Sequence, residues 1–301
     1  MNAPVSAALH AVLSMAMLMA AQRAGAEQIS KTQPADARGE VEIVNVSGSV
    51  EVRAWDRSEV QVDADLGSNV ERLDFRRDGS RTYIKVVLPG MNSSGGSGSS
   101  DLVVKVPRDS GLVINTVSAE QRISGVRGQQ RLQAVSGNIE TEFGPGDIEL
   151  KTVSGNIQAR GQDGKGLVRA TSVSGDMEIH KAGPEVDLNS VSGDMTVTLD
   201  RLDRGRIKTT NGDLDMTLAL SDDARLEAEA INGDLNFNLR GAVNADFDIE
   251  TFNGDIDNCF GPKPRRSREY GPGNELRFTQ GKGGARVHVK TLNGGVMLCK
   301  R

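Results

Sequence analysis

Residues 148–158 read Ile-Glu-Leu-Lys-Thr-Val-Ser-Gly-Asn-Ile-Gln, and nearly the same stretch returns at 186–196 as Val-Asp-Leu-Asn-Ser-Val-Ser-Gly-Asp-Met-Thr. The Ser-Gly or Asn-Gly corner inside it recurs along the chain. Its glycines stand at positions 137, 155, 175, 193, 212, 233, 254 and 294, in steps of 18, 20, 18, 19, 21, 21 and 40 residues. A period near 20 residues is typical of solenoids, in which stacked turns of chain bury one continuous core.

The columns that align on the glycine are chemically uniform. The residue after it is Asn or Asp in seven repeats, the next is apolar, and the residue two positions further on is mostly apolar. This period of two predicts a strand after each corner, and a second alternating strand precedes it. Antiparallel hairpins of a sandwich are an alternative, but the constant period and column identity favour stacked parallel rungs.

Composition limits the type of core. The 301 residues include 35 glycines, and aromatic residues make up only 3%, so a thin aliphatic core with many turns is expected. We predict an all-β chain forming a single-stranded, β-helix-like β-solenoid with rungs of about 20 residues. Residues 27–110 are expected to form an irregular β cap with a Gly/Ser-rich loop at 90–100. Residues 111–301 are expected to form the repeats, with an inserted basic loop at 260–274.

The N-terminus predicts export. An apolar stretch is followed by Ala24-Gly25-Ala26, which indicates a signal peptide at 1–26 and a mature chain from Glu27. A membrane anchor is the alternative, but the stretch is shorter than the roughly 20 residues of a spanning helix. We therefore expect a periplasmic, outer-envelope or secreted protein with no transmembrane span. The net charge of -5 is dispersed along the chain, which argues against a nucleic-acid partner.

Two cysteines, Cys259 and Cys299, each lie five residues after a corner glycine and so occupy one column. If the 40-residue step is one rung with an inserted loop, their Cα atoms should lie about 5 Å apart, within the span of a disulfide. A complete extra rung would double that distance and prevent bridging.

The Val106-Pro107 strand end, followed by repeated Val-Ser-Gly-Asp and Asn-Gly-Asp turns, resembles the bacterial β-strand-repeat family labelled "putative adhesins", a domain of unknown function. The resemblance covers roughly residues 41–299. It implies an exported or cell-envelope β-solenoid and transfers no catalytic residue.

Few residues suggest catalysis. His10 would leave with the signal peptide, and His180 and His288 fall at outward positions of different rungs, where surface histidines are expected. Trp55, Tyr83 and Tyr270 lie outside the regular rungs, so a platform of aromatic side chains for sugars is not predicted. We expect no catalytic residue and no cofactor.

Two further sets of residues are candidate sites. An acidic column could bridge Ca²⁺, although water-exposed turn residues are the favoured interpretation; it consists of Asp176, Asp194, Asp213, Asp234 and Asp255. The basic insertion could bind a partner through Lys263, Arg265, Arg266 and Arg268. The function hypothesis is a non-enzymatic envelope protein for adhesion or scaffolding, which binds an envelope or extracellular protein or polysaccharide. The alternatives are a polysaccharide-active solenoid enzyme and a self-assembling structural protein.

Overall fold

A computed structural model describes residues 27–89, 98–162, 165–267 and 272–300. The predicted signal peptide, most of the Gly/Ser-rich loop, Tyr270 and Arg268 lie outside these residues. The described residues form the strands β1 (Glu27–Pro34), β2 (Glu40–Trp55), β3 (Glu59–Leu66), β4 (Arg72–Asp78), β5 (Arg81–Val87), β6 (Ser99–Pro107), β7 (Gly111–Ser124), β8 (Gln130–Ser136), β9 (Ile139–Phe143), β10 (Ile148–Ser154), β11 (Ile157–Gly161), β12 (Leu167–Ser174), β13 (Met177–Ala182), β14 (Glu185–Ser192), β15 (Met195–Leu199), β16 (Leu202–Asn211), β17 (Leu214–Leu218), β18 (Leu220–Asn232), β19 (Leu235–Leu239), β20 (Ala245–Asn253), β21 (Ile256–Asn258), β22 (Arg265–Arg266), β23 (Asn274–Gln280), β24 (Ala285–Asn293) and β25 (Val296–Lys300).

The repeats stack as parallel rungs, which confirms the predicted β-solenoid. In each rung a first strand, a glycine corner and a second strand follow one another. The first strands pair in the order β8, β10, β12, β14, β16, β18, and the second strands in the order β9, β11, β13, β15, β17, β19. We call the two faces sheet 1 and sheet 2, respectively. The antiparallel sandwich is excluded for these repeats.

The core lies between the two sheets and is built by the predicted alternation. Along β10, Ile148 and Leu150 are buried while Lys151 is exposed, and along β11 the buried residues are Ile157 and Ala159. Each rung contributes such a set, so the apolar side chains form one continuous cluster along the array. Burial of this surface provides the main drive for folding.

The corner needs glycine because consecutive rungs approach each other closely there. Gly175 has a φ of 133°, and a Cβ on it would collide with the carbonyl oxygen of Gly155 on the rung below. Residues with a side chain rarely adopt this φ, and backbone atoms cannot move aside cheaply. The repeated glycine therefore reflects both a backbone conformation and a packing distance.

The N-terminal region contributes two rungs that the spacing did not reveal. β2 runs through both sheets, with its own corner at Ser47 and Gly48, and pairs in parallel with β7 along its length. On its other side, β2 pairs with β5 in sheet 1 and with β6 in sheet 2. The segment 27–110 therefore includes regular solenoid rungs as well as capping strands.

The C-terminal rungs do not stack in chain order, although the corners at 254 and 294 lie on neighbouring rungs, as expected for one rung with an insertion. β24 pairs with β18 on one side and β20 on the other, and β25 lies between β19 and β21. The last rung in sequence therefore sits between the two rungs that precede it. The 40-residue step also contains β22 and the antiparallel strand β23, so the segment expected to be a basic loop at 260–274 includes the short strand β22.

Antiparallel strands cover most of the two ends. β4 and β5 pair at the N-terminal edge of sheet 1, while β3 and β1 extend sheet 2. At the other end β23 covers β20, and Phe247 stacks on Phe278 with ring centroids 4.8 Å apart, next to Phe260. No helix that could cross a bilayer occurs in the described ranges.

Candidate functional site

A line of exposed apolar side chains runs along the corner edge of the array. Each comes from the residue before the corner Ser or Asn, at the end of a sheet 1 strand; the eight apolar ones are between 44% and 49% exposed, and Thr210 is half-buried. In spatial order the residues are Val117, Val135, Val153, Val173, Val191, Thr210, Ile231, Leu292 and Phe252, of which only Thr210 is polar. We call this set the corner ridge.

The ridge was not recognised as a candidate site from the sequence, although its signal is present there. The first residue of almost every corner is apolar, but one apolar residue at this place is also typical of an ordinary strand end. Period two predicts that it points outward, because the preceding residue, for example Thr152, points into the core. Single exposed apolar residues are ordinary, whereas a contiguous patch of them marks an interaction surface.

A groove lies beside the ridge on sheet 1. One wall is formed by ridge side chains such as Val173 and Val191, and the other includes Lys208, Glu229 and Lys290 from the neighbouring outward column. The groove has a volume of about 580 Å³ and is open to solvent. The ridge and the groove together form a surface in which an apolar projection lies parallel to a depression.

On the other flank of the ridge, the predicted acidic column forms a hydrogen-bonded ladder. The backbone N–H of Asp194 donates to Oδ1 of Asp176 at 3.0 Å, and that of Asp213 donates to Asp194 at 2.9 Å. The N–H of Asp234 continues the ladder to Asp213 at 2.8 Å. Aspartate or asparagine in this column therefore supplies an acceptor for the next rung, which supports the interpretation of these residues as turn residues.

Asp255 differs from the other four residues of that column. It lies on the outermost rung, and the neighbouring rung carries Gly295 at this position, whose N–H donates to Asp234 at 2.7 Å. Nowhere in the described parts of the chain do three or more His, Cys, Asp or Glu side chains form a group suited to a metal ion.

The outer face of sheet 1 carries alternating charges along its length. Arg131 contacts Glu149 at 2.9 Å, and two rungs further Arg169 contacts Asp187 at 3.2 Å. The hydrogen bond from Lys151, together with that from Arg131, lowers the pKa of the Glu149 carboxyl. Such pairs contribute little each to stability, but their alternation disfavours misaligned rungs.

The structure contains a disulfide between Cys259 and Cys299, whose Cα atoms lie 4.8 Å apart. Cys299 extends the predicted outer column of sheet 2, because it pairs with Asn238 on the next rung. The bond joins the outermost rung to its neighbour on the outer surface of the molecule.

A shallow concavity on sheet 2 is the feature that we consider for the enzyme alternative. It has a volume of about 420 Å³, and the charged groups that line it are Glu51, Arg122, Glu140, Glu142, Arg160, Glu178 and His180. Arg122 donates to Glu120 at 3.0 Å and lies 3.4 Å from Glu140, so part of this charge is paired internally.

The remaining predicted residues lie apart from these features. His288 is on sheet 1, with Nδ1 3.7 Å from Asp248, so the two described histidines occupy opposite faces. Lys263, Arg265 and Arg266 are exposed at the C-terminal end, where β22 pairs with β23. They are far along the array from the centre of the ridge.

Comparison with known proteins identifies the repeat. The family model described as Toastrack DUF4097 matches residues 39–298, which confirms the resemblance inferred from the repeated corners. No curated protein matches the chain.

Several solved structures are similar over almost the whole chain. They include a "putative lipid binding protein" from Parabacteroides distasonis (14% identity, TM-score 0.47, covering 92% of this chain and 98% of that one). A "putative adhesin" from the same organism shows 10% identity and a TM-score of 0.38, covering 91% and 98%. Another from Bacteroides fragilis shows 8% identity and a TM-score of 0.37, covering 90% and 96%.

Proposed function

The chain belongs to the Toastrack DUF4097 family, and on that premise we propose that it is a non-enzymatic, exported cell-envelope β-solenoid with a role in adhesion or scaffolding. Its partner would be an envelope or extracellular protein or polysaccharide, bound along the edge of the array. The corner ridge is the observation that carries this proposal.

The ridge supports binding because its surface is costly to leave in water. Eight apolar side chains on nine stacked rungs remain about half exposed, and only the rung of β16 carries a polar residue, Thr210, in this column. Thr210 occupies the same column without disturbing the pairing of β16 with either neighbour. Repeat proteins use such extended surfaces for recognition, and exposed apolar patches mark interaction sites.

Export is supported by two independent features. The sequence of residues 1–26 has the pattern of a signal peptide. The Cys259–Cys299 disulfide suits an oxidising compartment, since reducing systems keep cytosolic thiols free. N-terminal sequencing of protein recovered from the periplasm or medium should begin at Glu27. Recovery of the intact Met1 form in the cytoplasm as the main species would contradict export.

Capped ends favour a discrete unit over a polymer of rungs. β4 and β23 run antiparallel to the rungs they cover, and the outermost strand β1 carries Lys31 and Pro34. Charges and prolines on edge strands hinder further pairing. The self-assembling alternative therefore has less support than binding through the side of the array.

The enzyme alternative rests on the sheet 2 concavity. Its carboxylates Glu140 and Glu178 lie two rungs apart, with Gln158 between them. At about 4.8 Å per rung the backbone positions are roughly 10 Å apart, close to the carboxyl separation of inverting glycosidases. Reducing-sugar release from envelope polysaccharides that is lost in Glu140→Gln would support this alternative and overturn the non-enzymatic one.

Capture from the envelope fraction tests the binding role. The immobilised mature protein should retain a partner that the triple variant Val153→Thr, Val173→Thr, Val191→Thr fails to retain. Threonine keeps the β-branched shape and occurs naturally in this column. Met297→Thr is the matched control, because Met297 is 44% exposed on sheet 2. Equal capture by the wild type and the triple variant would exclude the ridge as the binding surface.

A further inference from the structure

We propose that the partner of the corner ridge is a second copy of this chain, packed side by side with its solenoid axis parallel to the first. This inference rests on the proposed function, since it names the occupant of the same ridge. Three properties of the ridge carry it: its repeat distance, the adjoining groove and its length.

The repeat distance selects the class of partner. Ridge side chains on hydrogen-bonded rungs are spaced by about 4.8 Å, the distance between neighbouring strands. An extended peptide along the ridge would offer a side chain to it only about every 6.7 Å. An α-helix presents a side chain to the ridge about every 5.4 Å, so after about four rungs its side chains are displaced by half a rung from those of the ridge. A second copy has the same spacing along its entire ridge.

The groove makes the surface self-complementary. The groove runs parallel to the ridge over the rungs of β12, β14, β16, β18 and β24, with Val173 and Val191 on the boundary between them. A two-fold axis parallel to the solenoid, placed over that boundary, sets each ridge into the groove of the other copy. Such an isologous contact closes as a dimer. A perpendicular two-fold axis would instead set ridge against ridge and leave both grooves empty.

The length of the ridge is sufficient for a stable contact. Nine rungs from Val117 to Phe252 extend over about 38 Å at the strand spacing. Three neighbouring columns of side chains, about 6.7 Å apart along the strands, give a width of roughly 20 Å. A contact of this length and width would cover about 760 Å² on each copy, close to the roughly 800 Å² per partner of a standard interface.

Sedimentation equilibrium of the purified mature protein tests the proposal. We expect twice the monomer mass at micromolar concentration. The triple variant Val153→Thr, Val173→Thr, Val191→Thr should raise the dimer dissociation constant at least tenfold, and Met297→Thr should leave it unchanged. Circular dichroism of each variant verifies that the strands have formed.

Cross-linking tests the parallel arrangement. Val135→Cys and Leu292→Cys place single free thiols near opposite ends of the ridge, while the native cysteines remain bonded to each other. With a short bis-maleimide, each variant alone should form covalent dimers. Cross-linking only in a mixture of the two would overturn the parallel arrangement.

The outcomes also separate this inference from the proposed function. A protein that stays monomeric up to about 100 μM, yet captures an envelope partner in a ridge-dependent way, refutes the second copy and leaves the binding role standing. A monomer whose captured proteins are the same with and without the ridge valines refutes both.

Discussion

Removal of the disulfide by Cys259→Ser combined with Cys299→Ser should loosen one end of the solenoid. The bond closes a loop with a sequence separation of 40 residues, and the chain-entropy relation gives about 4 kcal/mol for a loop of that length. The stabilised unit is the outermost rung, β20 and β21, which has a parallel neighbour on one side only. Cys259 lies at the end of this outermost rung, and Cys299 lies on the rung next to it.

The loss of stability should be confined to the end rung, because each rung of a solenoid contacts only its neighbours. β21 has only three paired residues, so the disulfide is a large part of what holds sheet 2 together at this end. In sheet 1, eight register pairs between β20 and β24 and the stacking of Phe247 on Phe278 remain. We expect residues 245–258 to open well before the central rungs.

Hydrogen exchange monitored by mass spectrometry measures this directly. Peptides from 245–258 and 274–280 should lose protection in the double variant, while those from 148–199 keep it. Thermal unfolding should shift downwards by several degrees or divide into two transitions. Asn238→Ser is the control, because Asn238 shares the column without a bridge. Unchanged protection of 245–258 would refute the assignment of the disulfide as the clamp of the end rung.

Three other substitutions test the corner glycine, the hydrogen-bonded ladder of the acidic column and the ion pairs of Glu149. Gly175→Ala should destabilise by about 2 to 4 kcal/mol in urea unfolding, because its Cβ meets backbone, whereas Gly111→Ala, whose Cβ meets nothing closer than 3.9 Å, should be mild; equal effects would contradict the packing argument. Asp194→Ala should lower the free energy of unfolding by about 1 kcal/mol, whereas Asp194→Asn, which keeps the acceptor for Asp213, should lower it less. Chelation with EDTA should leave the melting temperature unchanged, and a fall of ten degrees would show that a cation binds. The pKa of Glu149 is lowered in the folded state, so its ion pairs stabilise the fold fully above the unfolded pKa near 4.3, and this stabilisation is lost as the pH falls through the lower folded pKa. Glu149→Gln should therefore reduce the loss of stability between neutral and acid pH by less than about 1 kcal/mol. An unchanged loss at acid pH would exclude this contribution.

Periodicity in the sequence predicted the interior of the array well. Inward residues such as Ile157 and Ala159, the corner glycines and the common column of the two cysteines all follow from a fixed repeat and a strand period of two. Each of these features depends only on local chain geometry. Local geometry is repeated in every rung, so one correct alignment determines all of them.

Neighbour relations at the ends could not be obtained in the same way. β2 is a full rung, but the strands β3 to β6 separate it in sequence from its neighbour β7, so no constant spacing marks its corner at Gly48. The spacing of the corner glycines indicates that a segment forms a rung, but it does not indicate which rung is its neighbour. The polar concavity on sheet 2 is lined by two outward columns, one with Glu140 and Glu178 and the other with Arg160 and His180. Spacing aligns these columns, but it does not show that the surface is concave there.

The charges of the outward-facing residues indicate the stacking order of the C-terminal rungs, which the spacing of the glycines does not. Stacking in chain order would set Glu229 beside Glu250, whereas the observed order inserts Lys290 between them. Opposite charges on neighbouring strands are favourable, and like charges directly opposite are unfavourable.

Lys290→Glu would align three carboxylates and should destabilise the protein by roughly 1 to 2 kcal/mol at low salt, with Lys290→Gln intermediate. High salt should reduce the effect, because the repulsion between the carboxylates is then screened. If stacking followed chain order, the introduced carboxylate would lie on an end rung with a single acidic neighbour, and high salt would recover correspondingly less stability. Urea unfolding at low and at high salt distinguishes the two orders, and a Lys290→Glu variant as stable as the wild type at low salt would contradict the observed one.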